Sequence, residues 1–155
     1  MSGILHQKIN RIPAKHKMGT EHYEYERRDF VARGAAKQCV VSIYEIPPMK
    51  SAYPYHYHTQ NEETFYIISG QGSLKTPEGE RMVSAGDLLF FPADEGGAHK
   101  LTNTSETEKL VYLDFDTANA LDAAVYPDSG KICIWGRGIN RVYRMEENVD
   151  YYEGE

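Results

Sequence analysis

Residues 53–70 read YPYHYHTQNEETFYIISG and place two histidines and two adjacent glutamates ahead of an apolar run. If the first part of this stretch is a β-strand, its side chains alternate between two faces, so His56 and His58 point the same way. Two imidazoles at this spacing can bind one metal ion, and a divalent transition metal also accepts a carboxylate. Glu63 or the neighbouring Glu62 can supply that carboxylate. The stretch therefore predicts part of a metal site.

Residues 86–103 form a second stretch that complements the first and read GDLLFFPADEGGAHKLTN. A turn glycine precedes an apolar strand, and a loop rich in Pro and Gly then leads to His99. On the strand that follows, His99 shares one face with Leu101 and Asn103. His99 is therefore the fourth candidate metal ligand.

Together the two stretches resemble the paired motifs of the cupin superfamily. The first motif is His-x-His, then Glu after three or four residues, then Gly after six more; the second is Gly, five residues, Pro, a glycine-containing loop, His, three residues and Asn. The matching positions are His56, His58, Glu63 and Gly70 in the first motif and Gly86, Pro92, Gly96, His99 and Asn103 in the second. This spacing favours Glu63 over Glu62 as the ligand.

The sequence departs from the motifs at two places. Lys50 stands where the family usually has a glycine, six residues before the first histidine, and the loop between Pro92 and His99 is two residues longer than the commonest form. Both departures affect the shape of loops near the expected site, and neither removes a ligand.

Short β-branched and aromatic runs separated by turn residues, with little helical periodicity, predict an all-β fold of antiparallel double-sheet type. The resemblance implies the same architecture, a jelly-roll barrel (double-stranded β-helix) with a metal inside it. A chain of 155 residues has the size of one domain. We expect a single domain over residues 1–155, with a barrel core at about 38–115 and with N- and C-terminal extensions at 1–37 and 116–155.

Residues 109–114 are expected to form a strand with alternating faces, with Leu110, Tyr112 and Asp114 on one side. Residues 117–124 are expected to form a short helix and residues 131–135 a strand. The acidic tail from residue 146 is expected to lie against the outside of the barrel or across a partner subunit.

Composition narrows the class of protein. The net charge of −6 and the pI of about 5.5 argue against binding to nucleic acid or to an anionic membrane surface. The N-terminus lacks the apolar core of a signal peptide, and no apolar run approaches the ~20 residues of a membrane helix. Cys39 and Cys133 lie in apolar, strand-like runs typical of reduced thiols. Twelve tyrosines are typical of sheet faces and of subunit interfaces. We therefore expect a cytoplasmic homodimer with a small-molecule ligand.

The resemblance implies one divalent metal per chain, bound by His56, His58, Glu63 and His99. Three imidazoles and one carboxylate suit Fe, Mn, Ni, Co or Zn better than Mg or Ca, which prefer oxygen ligands. An octahedral shell then keeps two positions for a small, oxygen-rich substrate.

The implied function is an enzyme, a sugar-type isomerase or a dioxygenase. The alternatives are a non-catalytic sensor or carrier that binds metal and a small ligand, and a metal-free structural barrel. An enzyme needs an acid or a base beside the metal. The candidate catalytic residues are Tyr112, Asp114, Tyr44 and Glu62.

Overall fold

The computed structural model describes residues 3–155, which fold into antiparallel β-sheets with three short 3₁₀ turns. The strands are β1 Lys15–Thr20, β2 Tyr23–Val31, β3 Cys39–Ile46, β4 Tyr57–His58, β5 Glu63–Ser69, β6 Gln71–Thr76, β7 Gly79–Ser84, β8 Leu88–Phe91, β9 Lys100–Asn103, β10 Leu110–Thr117, β11 Leu121–Tyr126, β12 Lys131–Gly136 and β13 Ile139–Arg144. The 3₁₀ turns are Ile9–Arg11, Glu95–Gly97 and Pro127–Ser129. The predicted all-β jelly-roll class is confirmed.

Three hydrogen-bonded β-sheets make up the fold of residues 3–155. One layer is a six-stranded sheet in the order β1-β2-β3-β10-β5-β8. A three-stranded sheet, β7-β6-β9, and a four-stranded sheet, β13-β12-β11-β4, form the rest. An antiparallel bridge joins these two smaller sheets, because the backbone N–H groups of His56 and His99 donate to each other's carbonyls at 3.1 and 2.9 Å. Two of the candidate metal ligands therefore lie directly opposite each other at a seam between sheets.

The core lies against β10, which is the centre of the six-stranded sheet. Tyr112 on this strand pairs with Tyr44 on β3 and with Ile67 on β5. The rings of Tyr44 and Tyr112 stack with centroids 5.1 Å apart. Ile46, Ile67 and Leu110 are fully buried, and burial of each such side chain contributes roughly 1.5–3 kcal/mol. The alternation predicted for residues 109–114 thus places one face in the core.

Two motif residues have structural roles at the ends of strands. Gly70 has a φ of +84°, and a Cβ there would lie 2.5 Å from the carbonyl oxygen of Lys109, so glycine alone fits without a shift of the backbone. The side chain of Asn103 is buried and donates to the carbonyls of Ile46 and Glu108 at 2.9 and 2.8 Å. Asn103 therefore fixes the connection from β9 to β10.

The C-terminal extension differs from the expectation. The predicted helix at 117–124 is wrong, because β10 continues to Thr117 and β11 begins at Leu121. The backbone of β11 pairs with both β12 and β4, which favours extended structure over a helix. The predicted strand at 131–135 is confirmed as β12. Residues of β11 and β12 also line the central cavity. No helical turn within residues 3–155 is long and apolar enough to cross a membrane.

Candidate metal centre

The predicted ligands converge at one end of the central cavity. His56 precedes the short strand β4, His58 ends it, Glu63 begins β5, and His99 precedes β9. The Nε2 atoms of His58 and His99 lie 3.4 and 3.3 Å from the two carboxylate oxygens of Glu63. The imidazole centroid of His56 lies 5.3 Å from that of His58 and 4.9 Å from that of His99. Residues from three separate segments thus surround one point.

Backbone carbonyls fix the orientation of two of these imidazoles. The Nδ1 atom of His56 donates to the carbonyl of Pro54 at 2.8 Å, and that of His99 donates to the carbonyl of Gly97 at 2.9 Å. A carbonyl oxygen can only accept, so each Nδ1 carries the proton. The Nε2 atom of each ring is then the nitrogen available to a metal, as is usual for histidine ligands.

A carboxylate orients the third imidazole. Asp122 on β11 is buried and accepts a hydrogen bond of 2.6 Å from the Nδ1 atom of His58. Its other oxygen accepts from the backbone N–H groups of Gln60 and Asn61 at 2.9 and 3.3 Å. Burial alone would raise the pKa of Asp122, but the hydrogen bond and charge of His58 and the two N–H groups lower it. Sequence reasoning missed Asp122, although its place on one face of LDAAVY, residues 121–126, gave a weak signal.

The pKa values show how strongly these groups interact. Burial opposes ionisation of Glu63, but the charges of the three histidines and a hydrogen bond from His58 lower its pKa to about 2. Burial also opposes a charge on His58, yet Asp122 and Glu63 raise the pKa of His58 to about 10. Burial, together with the charge of His99, lowers the pKa of His56 to about 4. Without a metal, the positive charge of protonated His58 offsets the negative charge of Glu63.

The residues fit a bound metal. The ligand atoms of His56, His58 and Glu63 all lie within 4.8 Å of one another. The Oε2 atom of Glu63 is buried and accepts no hydrogen bond from the residues described, although a buried carboxylate oxygen normally has a partner. A divalent cation at this point would satisfy that oxygen. His56, His58 and Glu63 therefore form a group that could hold a metal ion.

A cavity of about 400 Å³ opens beside this group. Of the predicted catalytic candidates, Tyr44, Tyr112 and Asp114 line the cavity. The side chain of Glu62 is exposed and does not line it. Adjacent residues on a strand face opposite ways, which separates Glu62 from Glu63.

A buried carboxyl group, that of Asp114, and a partly buried one, that of Asp116, stand next to Glu63 in the cavity. Asp114 and Asp116 share the inner face of β10, and Asp116 lies opposite Glu63 in the register with β5. Oxygens of the three side chains lie within 4.8 Å of one another, and one oxygen of each aspartate accepts no hydrogen bond within residues 3–155. Burial and the charge of Asp116 raise the pKa of Asp114 well above its usual range. Burial and the charge of Glu63 raise the pKa of Asp116 to about 6.

Comparisons with known proteins agree with this fold. A family model for the cupin domain matches residues 42–116. A candidate sugar phosphate isomerase from Acidithiobacillus ferrooxidans has a crystal structure that superposes with a TM-score of 0.77 at 25% identity, covering 94% of this chain and 93% of that one. Residues 42–116 of this chain therefore form a cupin domain.

The chain is also similar to a second solved structure and, over part of its length, to a relative by sequence. A sugar phosphate isomerase of the cupin superfamily from Silicibacter pomeroyi superposes on this cupin with a TM-score of 0.80, covering 90% of this chain and 92% of that one. Its 18% identity shows a shared fold alone. An uncharacterized protein of Aquifex aeolicus (strain VF5) is 33% identical over 58 residues, which are 37% of this chain. The matched stretch spans 46% of that relative's length, about half.

A cluster of phenol groups forms another wall of the cavity in this cupin. The hydroxyl of Tyr53 donates to that of Tyr25 at 2.9 Å and lies 3.0 Å from that of Tyr44. The guanidinium of Arg27 reaches the Tyr44 hydroxyl at 3.4 Å. Burial raises the pKa of Tyr53, and the neighbouring phenols add to this effect. Burial also raises the pKa of Tyr44, so the hydroxyls of Tyr44 and Tyr53 stay protonated and can donate to or accept from a ligand.

The C-terminal extension covers the metal group of this cupin from the other side. The ring of Tyr126 stacks on that of His56 with centroids 5.7 Å apart, and the ring of Trp135 meets His58 edge-on at 5.3 Å. Sequence reasoning missed both aromatics and Asp116. The pattern Asp114-x-Asp116 continued the alternation of a strand that was predicted to end at residue 114.

Proposed function

We propose that this cupin is a metal-dependent enzyme that isomerises a small, oxygen-rich molecule of the sugar type. In this proposal one divalent transition metal per chain is bound by His56, His58, Glu63 and His99. One observation carries it: the buried carboxyl of Asp114, with an oxygen that lacks a hydrogen-bond partner among the described residues, lies beside the ligand Glu63 in the same cavity.

The proposed reaction needs a proton to move between neighbouring carbons of a hydroxy-carbonyl substrate. A divalent metal, when bound, supplies a Lewis acid and a template for two adjacent substrate oxygens. Burial and the charge of Asp116 raise the pKa of Asp114 well above its usual range, which favours its protonated form. Asp116, two residues along the same face, is in part ionised near its pKa of about 6. One group can then give a proton while the other accepts one, which is the requirement for general acid–base catalysis.

Several features favour this function over the alternatives. A sensor or carrier has no need of buried carboxyl groups at the metal group, because such groups cost free energy to bury. The resemblance over 94% of the chain to a candidate sugar phosphate isomerase supports isomerisation of a sugar-type molecule. A dioxygenase is the second choice, since the acid–base pair serves no evident step in it. The homodimer and the cytoplasmic location stay predictions from the sequence.

Metal analysis and isotope exchange test the proposal together. Protein purified without added metal should contain close to one transition metal per chain by mass spectrometry, and His58→Ala and His99→Ala should lose most of it. In D₂O, an isomerase should introduce solvent deuterium next to the carbonyl of a sugar substrate, observed by NMR. Asp114→Asn should abolish this exchange and keep the metal, whereas Glu62→Gln should keep both. Full exchange in Asp114→Asn, or full metal content in both histidine variants, would contradict the proposal.

A further inference from the structure

We propose that the substrate of this cupin carries an anionic group, a phosphate or a carboxylate, and that Arg33 binds this group at the cavity wall next to Trp135. The inference rests on the proposed function only in placing the substrate in this cavity. Arg33 follows the end of β2 and lines the cavity together with Trp135 and Asn140. Its guanidinium carbon lies 5.8 Å from the centroid of the Trp135 ring.

Arg33 is the arginine of this cavity that has no charged partner in residues 3–155. It is exposed at the cavity wall, and it forms neither an ion pair nor a side-chain hydrogen bond with any residue in that range. The arginines that pair with a carboxylate are Arg27, Arg28, Arg81 and Arg144. Arg11, Arg137 and Arg141 also form no such pair, but they do not line the cavity. Of the two arginines that line it, Arg27 is paired with Asp29, so Arg33 is the one whose guanidinium is available to an anionic ligand.

The neighbouring groups leave the positive charge of Arg33 available. Asp29 is shared by two cations, at 2.8 Å from Arg27 and 2.7 Å from Lys15, so that cluster carries an excess positive charge of its own. Asp116 is the carboxyl group in the cavity whose pKa Arg33 lowers through its charge. No nitrogen of Arg33 lies within 4.0 Å of an Asp116 oxygen. Arg27 and Arg33 thus contribute positive charge at the cavity, in a chain whose net charge is −6.

The geometry suits a planar or tetrahedral anion. A guanidinium presents two parallel N–H groups that match the oxygens of a carboxylate or a phosphate. The Trp135 ring supports one face of the guanidinium. This contact limits the conformational entropy that the Arg33 side chain loses when it binds an anion. The same ring meets His58 edge-on at 5.3 Å, so a single aromatic side chain separates Arg33 from a proposed metal ligand. A molecule the size of a sugar acid or a sugar phosphate can span from Arg33 to the metal group.

Calorimetry with three related probes tests the inference. Glucose, gluconate and glucose 6-phosphate are titrated into the Mn(II)-loaded protein, which compares a neutral ligand with a carboxylate and a phosphate. We expect at least one anion to bind roughly 10- to 100-fold more tightly than glucose, as is typical when a charged pair forms in a cavity. The tighter of the two anions identifies the preferred group. Equal affinity for glucose and both anions, or no binding of either anion, would overturn the inference.

Variants of Arg33 test whether this residue causes the preference for an anionic ligand. Arg33→Gln should abolish the advantage of the anion, and Arg33→Lys should keep part of it because the charge stays while the two-pronged geometry is lost. Arg81→Gln is the matched control, since Arg81 is exposed and pairs with Glu78 outside the cavity. A melting temperature equal to that of the wild type shows that each variant keeps the fold that forms the cavity. An anion preference that survives in Arg33→Gln would refute the assignment.

Inorganic phosphate separates this inference from the proposed function. Its affinity for the protein, with and without Mn(II), reports on Arg33 without any turnover. Phosphate binding that depends on Arg33 supports the inference even if no isomerisation is found. Metal-dependent isomerisation of neutral sugars that is unchanged in Arg33→Gln would retain the proposed function and overturn the inference.

Discussion

Replacement of Asp122 by asparagine tests whether the C-terminal extension supports the metal centre. Asp122 accepts from the Nδ1 atom of His58 with one oxygen and from the backbone N–H groups of Gln60 and Asn61 with the other. An asparagine keeps one acceptor oxygen, so its NH₂ group must face either the imidazole N–H or the two backbone donors. Asp122→Asn therefore places donor against donor in a buried position.

Two effects of known size follow from this replacement. Loss of a partner that orients a histidine ligand typically weakens metal binding 10- to 100-fold, or about 1.4–2.7 kcal/mol. A buried donor left without an acceptor costs about 1–3 kcal/mol of folding free energy. The pKa of His58, which is about 10 in the metal-free protein with Asp122 among its causes, should also fall.

Competition with a chromophoric chelator measures the affinity for Zn(II) or Mn(II), and chemical denaturation of the metal-free protein measures stability. Asp128→Asn is the matched control, because Asp128 is exposed and pairs with Lys75 on the surface. Asp122→Asn should lower both quantities and Asp128→Asn should change neither by a comparable amount. Equal metal affinity in wild type and Asp122→Asn would refute the reasoning.

Three more predictions concern the ligand, the pH dependence and association. Glu63→Gln should weaken binding of Mn(II) or Zn(II) at least about 10-fold, and Glu62→Gln should change it little; the reverse order would move the ligand to Glu62. Because the pKa of His58 is raised from 6.5 to about 10 in the metal-free fold, protonated His58 contributes stability that is complete below pH 6.5 and lost as pH rises to about 10. Denaturation at roughly pH 6 and pH 9.5 should show this loss and His58→Ala should reduce it; a loss that is the same in both proteins would contradict it. Since Leu88 and Phe90 on edge strand β8 are 73% and 60% exposed, we expect a dimer that covers them, and a monomeric mass by light scattering at micromolar concentration would contradict this.

Local patterns in the sequence predicted several strands closely. Residues 88–91 were predicted as a strand and form β8, and the alternation assigned to residues 109–114 is the buried and exposed pattern at the start of β10. The alternation of side chains along the sequence predicts these two strands because each strand buries one face in the core. The same alternation does not predict β1, because its six residues are all exposed. Nothing in the composition of that segment favours a strand, and pairing with β2 holds it in place.

By itself, the sequence determined the jelly-roll class and the order and spacing of the four proposed metal ligands. Motif spacing within one or two strands needs only local geometry, so it can be predicted without knowledge of the fold. Only the tertiary structure revealed that Asp122, 64 residues beyond His58 in the chain, orients that imidazole. The same holds for Arg33 and Trp135, which are far apart in the chain and meet at one wall of the cavity. Such contacts depend on the path of the whole chain, and no pattern within a single strand encodes them.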